Sequence, residues 1–134
     1  MTGRRLPAWA RRRRRDVLDP NILEALSAAM TAGEDEALRA VLHPDAELVI
    51  DSGGVRPEPA AAQGPDGREA AVSGLRALAA SDITILTASV NGLPGLLLFR
   101  GDAVVGVVTA DVRDRLLANV WVVCNPDKLR HWNR

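Results

Sequence analysis

Aromatic side chains are scarce: three Trp, one Phe and no Tyr make up 3% of the 134 residues, so any core must be aliphatic. There is one cysteine, Cys124, which excludes an internal disulfide and a thiolate metal cluster and fits a reducing, cytoplasmic setting. No apolar run approaches the roughly 20 residues of a membrane span. The charged N-terminus lacks the apolar stretch that a secretory signal carries next, so no membrane association is expected. Histidine is limited to His43 and His131. The patterns H-x-x-x-H, C-x-x-C and G-x-S-x-G and a phosphate-binding glycine loop are all missing. Neither a metal nor a cofactor is expected.

Net charge is also lacking, but only in total. Residues 1–16 carry seven Arg against Asp16, a balance of +6, and the other ten Lys/Arg and sixteen Asp/Glu leave −6 on the rest. Residues 1–18 therefore read as a basic, disordered arm or linker, because like charges in a block repel and resist burial. Residues 19–134 read as one domain, long enough for a single core. Arg11, Arg12, Arg13, Arg14 and Arg15 could contact nucleic-acid phosphates, with Trp9 for stacking. The plainer reading is a solvated linker.

What is abundant is short apolar runs. Ile83–Val90, Gly95–Arg100, Ala103–Arg113 and Arg115–Cys124 are rich in Val, Leu, Ile and Thr and read as strands. Asn91-Gly92, Gly101-Asp102 and, more weakly, Asp114 separate them as hairpin turns. Connections this short force an antiparallel meander. Upstream, Asp19-Pro20 caps a helix whose apolar stripe is Ile22, Leu23, Leu26, Ala29 and Met30, ended by Gly33. A second helix is expected over Glu34–Leu42, stopped by Pro44. Asp45–Asp51 alternates as a half-buried strand, with Ala46, Leu48 and Ile50 on one side. In the loop that follows, Pro57 and Pro59 exclude a central strand but allow an edge segment. Asp66 and Glu69 resemble a capping box opening a third helix, with Ala71, Val72, Leu75, Leu78 and Ala79 inward. Helices segregated from an antiparallel sheet make an α+β fold. A curved sheet around three helices would form a cone with an open mouth, suited to a small apolar ligand.

No catalytic set stands out. His43, before Pro44, reads as a cap at the end of the second helix. Cys124 reads as a buried thiol. Asp51, at a strand end before Gly53-Gly54, has two readings: an acid or base desolvated at the cone mouth, or a turn-starting Asp. Asn119 and Trp121 share a strand face. With Asp51, Gly53 and Gly54 they are the pocket candidates, although Trp121 suits a core or an interface equally. Asn125-Pro126-Asp127-Lys128-Leu129 reads as a capped terminal helix running to Trp132, with Leu129 and Trp132 placed to dock on a surface.

These residues also resemble a known family. Asn125–Leu129 after a Val-rich strand is similar to the terminal motif of the SnoaL-like C-terminal extension of extracytoplasmic-function sigma factors of the ECF41/SigJ type. Asp51-Ser52-Gly53-Gly54, Gly64-Pro65-Asp66, Asn91–Pro94 and Gly101–Val105 resemble other pieces of it in the same order. The resemblance implies a bacterial protein with an NTF2-like cone of three helices on a curved, mainly antiparallel sheet. It implies a non-enzymatic module that modulates transcription initiation. Asn125, Pro126, Asp127, Lys128 and Leu129 would touch sigma-factor core regions or RNA polymerase. The 18 residues before the domain are too few for a helix-turn-helix, so direct DNA binding is not expected. A homodimer through the convex sheet face is expected. The alternative is a cyclase- or isomerase-type enzyme, or a small-molecule-binding protein, with Asp51 in the cone.

Overall fold

The computed structural model describes residues 18–52, 58–59, 65–79 and 82–133. The Arg11–Arg15 run and Gly53-Gly54 lie outside the described residues.

Helix α1 (Pro20–Ala32) follows its sequence signals. Asp19 accepts from the Asn21 N–H, and Gly33 closes the helix at φ 67°, a left-handed conformation that glycine adopts without cost. Its buried face is Leu23, Leu26, Ala29 and Met30. Helix α2 (Asp35–Val41) is shorter than expected. Strand β1 (Leu42–Asp51) starts at once and runs through His43 and Pro44. Pro44 falls in the irregular stretch between Leu42 and Glu47 where the register with the last strand shifts, so its missing N–H removes no ladder bond. His43 is therefore not a helix cap. Its Nδ1 accepts from the Asp45 N–H at 3.0 Å, and its Nε2 lies 3.4 Å from the Asp114 carboxylate. Those contacts tie the start of β1 to the turn at Asp114-Arg115.

Strand β2 (Glu58–Pro59) is a two-residue stub on the outside of β1, the edge position that proline tolerates. Helix α3 (Pro65–Leu78) lays Ala71, Val72 and Leu75 into the core. Glu69 does not turn back to cap it. Its two carboxylate oxygens receive the Arg39 guanidinium at 2.7 and 2.9 Å. That bond to Arg39 holds the Glu69 carboxyl below its ordinary range. With Arg76–Asp35 at 3.1 Å, it joins α2 to α3 in antiparallel register.

The meander is β3 (Ile83–Val90), β4 (Leu93–Arg100), β5 (Ala103–Arg113) and β6 (Leu116–Val123). Asn91 and Gly92 have φ of 53° and 82°, the double positive of a type I′ turn. Asp114 and Arg115 repeat that turn at 56° and 66°. A two-residue turn thus takes Arg115 out of the last strand, where the apolar run had put it. The full sheet is mixed, in the order β2-β1-β6-β5-β4-β3. Its single parallel pair is β1 with β6.

Strand alternation divides the apolar residues between two faces. The inner face, with Leu48, Leu96, Leu98, Val108, Val120 and Val122, meets the three helices in the main cluster. The outer face carries a smaller cluster of Val90, Leu97, Val104, Val107 and Leu129. Helix α4 (Pro126–Leu129) and a 3₁₀ turn (Arg130–Asn133) lie on that outer face. Close approach of strands explains Gly95, where a Cβ would stand 2.6 Å from Val90 Cγ2 and 2.9 Å from the Val108 carbonyl oxygen. Gly95→Ala is expected to destabilise the fold by about 1–3 kcal/mol through overpacking. Urea denaturation checks it; an unchanged midpoint would mean the strands part easily there.

Candidate functional site

The C-terminal ends of the parallel pair β1 and β6 bring together stretches far apart in sequence. The Cys124 N–H donates to the Asp51 carbonyl at 2.7 Å. Lys128 Nζ donates to Asp51 Oδ2 at 2.6 Å. Asn125 folds the chain here: its side chain accepts from the Asp127 N–H at 3.0 Å, and Pro126 takes the first helical position, where a missing N–H is harmless. Asp51 and the Asn125–Leu129 motif, far apart in sequence, thus meet at one surface, spanned by an ion pair.

This geometry corrects the pocket reading of Asp51, Asn119 and Trp121. In β1, Ala46 and Leu48 point to the helices, and Ile50 packs on the same cluster. Glu47, Val49 and Asp51 alternate with them and pair with Asn119, Trp121 and Val123. All six lie on the outer face, away from the cone. The Asn119 amide donates to the Asp111 carboxylate at 3.1 Å, as does its backbone N–H. This side chain replaces the ladder bond interrupted by the bulge between Asp111 and Val112. Trp121 is 41% exposed. Inside, among the described residues, no polar or charged residue is buried, and no three His, Cys, Asp or Glu gather as a metal-holding group.

The terminal motif also divides. Leu129 is 4% exposed and belongs to the outer cluster, with Trp132 half-buried beside it. Both dock on this chain's own sheet, so Leu129 is not presented to a partner. Asn125 is occupied as a cap. Pro126, Asp127 and Lys128 are exposed, and Asp127 also accepts from Arg130 at 2.8 Å. The helix expected to reach Trp132 stays α-helical only to Leu129 and then tightens.

Asn133 fastens the terminal turn to β5. Its amide accepts from the Val104 N–H at 2.7 Å and donates to the Val104 carbonyl at 3.0 Å. Strand β6 pairs with β5 only from Val107 onward, so Asn133 satisfies backbone groups that β6 does not reach. No local pattern marks this; it depends on where β6 stops.

Two outcomes follow. Burial first, and then the nearby Asp51 charge, push the Cys124 thiol above its ordinary value, keeping it protonated at neutral pH. Iodoacetamide should alkylate it more slowly than free cysteine at neutral pH, and Asp51→Asn should raise the rate; equal rates would remove the coupling. Leu129→Ala should cost about 2–5 kcal/mol and loosen the terminal turn, seen as faster amide exchange at Val104. Unchanged exchange would mean that Asn133 alone holds the turn.

No family model matches the chain, and no curated protein matches it. Solved structures do. The crystal structure of the extracytoplasmic-function sigma factor SigJ of Mycobacterium tuberculosis is 25% identical, with a TM-score of 0.56, over 81% of this chain and 42% of that one. The chain thus spans less than half the length of SigJ. An uncharacterized bacterial protein with a cystatin-like fold from Silicibacter pomeroyi matches at TM-score 0.56 and 15% identity, over 81% of this chain and 76% of that one. IdmH from Streptomyces antibioticus, a candidate polyketide cyclase, matches at TM-score 0.52 and 16% identity, over 85% and 97%. The α+β architecture with its helix-backed mixed sheet is that of the NTF2-like, SnoaL-like and cystatin-fold proteins.

Proposed function

We propose that the chain is a non-enzymatic regulatory module that modulates transcription initiation through protein contacts. The surface used is the exposed part of the Asn125–Arg130 turn, braced by Asp51. The observation that carries this reading is the convergence of the two motif stretches at the Asp51–Lys128 ion pair. The likeness to SigJ at 25% identity supports it; the likenesses at lower identity speak for the fold alone. The placement of Asp51 relative to the helix-facing interior supports it further, because general acid–base work needs its ionisable group within reach of the substrate. Asp51, the acid or base of the enzyme alternative, faces away from that interior.

The partner is the core of an extracytoplasmic-function sigma factor or RNA polymerase. Asp127 is the residue to test, since its side chain is 81% exposed and its loss removes no core contact. Asp127→Ala should weaken binding to such a core about tenfold, equivalent to about 1.4 kcal/mol, with an unchanged circular-dichroism melt. Surface plasmon resonance with sigma core and with polymerase as separate ligands reads it. Undiminished binding, or none by the unaltered chain to either ligand, sinks the reading.

A further inference from the structure

Strand β3 is the last strand of the sheet, and among the described residues nothing pairs with its free edge. Native edges are normally protected by charge, proline, a bulge or shortness. This one has none of them. Ile83–Val90 reads ITILTASV, eight residues without a charge, a proline or a glycine, and its register with β4 is unbroken over all eight pairs.

Hydrogen-bonding parity follows from the turn. A type I′ turn closes on a bond between its flanking residues, here Val90 and Leu93. Bonded pairs alternate along an antiparallel ladder, so Val90, Ala88, Leu86 and Thr84 bond β4. Ser89, Thr87, Ile85 and Ile83 direct their N–H and C=O outward. Leu86 stands between two outward-bonding residues and is 51% exposed on the outer face.

We infer that β3 pairs antiparallel with β3 of a second copy of this chain, about a two-fold axis at Leu86. In that register Ile85 and Thr87 of each copy exchange bonds with Thr87 and Ile85 of the other. The two Leu86 side chains then meet at a non-bonded pair, where opposed side chains come closest. The faces match, since opposed residues in an antiparallel pair share a face and inner meets inner. The edge is also electrostatically self-compatible. Its one flanking charge, Asp82, is held by Arg100 at 2.8 Å. The two copies of Asp82 would stand about 27 Å apart at roughly 3.4 Å per residue, well beyond a screening length of about 8 Å. A single-strand contact is smaller than the roughly 800 Å² per partner of a standard interface, so the dimer depends on concentration. This inference is independent of the regulatory reading.

Sedimentation velocity of the full chain over a concentration series tests it. The mass should rise from one chain to two. Thr87→Pro removes only an outward N–H, which an edge strand tolerates; Leu86→Lys sets two like charges face to face. Both should remain folded by circular dichroism and monomeric at every concentration, whereas Trp121→Lys, on the outer face away from the edge, should still dimerise. Hydrogen exchange should slow at Ile85 and Thr87 as concentration rises and stay constant at Thr84 and Leu86. A single-chain mass throughout, or a dimer abolished by Trp121→Lys and spared by Thr87→Pro, overturns the inference.

Discussion

A sheet that is apolar on both faces has to be covered on both faces, and this constraint organises the molecule. Strand β4 buries Leu96 and Leu98 against the helices and Leu97 on the opposite side. Strand β5 does the same with Val108 and Val107. Three helices supply one cover. Among the described residues, the other comes from Pro126–Asn133, whose anchors are Leu129 and Trp132. This cover relies on close strand packing, on Phe99 beside the cluster, on one leucine and on the Asn133 amide. Beyond it, Leu86, Leu93 and Trp121 are exposed among the described residues.

The parallel pairing of β1 with β6 is the second organising feature. Antiparallel hairpins bring sequence neighbours together, but a parallel pair aligns the ends of segments separated by most of the chain. Here it sets Asp51 beside Cys124 and, one turn later, Lys128. An exposed ion pair contributes modestly to stability, so the fold itself does not require it. What it does is join the terminal turn to the end of β1. The same pairing aims Asp51 outward, because Ile50 must face the helices and successive strand residues alternate. A carboxylate in that position lies on the outer face of the sheet, beside the terminal turn.

Much of this was legible in the residues. The bounds of β3 and β5, the Asp19-Pro20 start and Gly33 end of α1, the Asn125-Pro126 cap and the edge placement of Pro59 all follow from local rules. Each reflects an interaction spanning a few residues. The structure departs from local rules where a distant partner decides. Pro44 suits a helix stop, yet β1 runs through it because the ladder to β6 is already broken there. Glu69 suits a cap, yet Arg39 claims its carboxylate. His43 suits a helix terminus, yet its ring joins Asp114 across the sheet.

The element types, the hairpin turns and the aliphatic character of the core are written locally, since backbone preference and hydrophobic period act within a few residues. Which face each candidate side chain occupies is set by long-range packing. It put Asp51, Asn119 and Trp121 outside and turned Leu129 inward onto its own sheet. Strand periodicity sorts residues into two faces, but it carries no label for the one the helices will cover. That assignment awaits the long-range packing of α1, α2 and α3, and with it the location of any site.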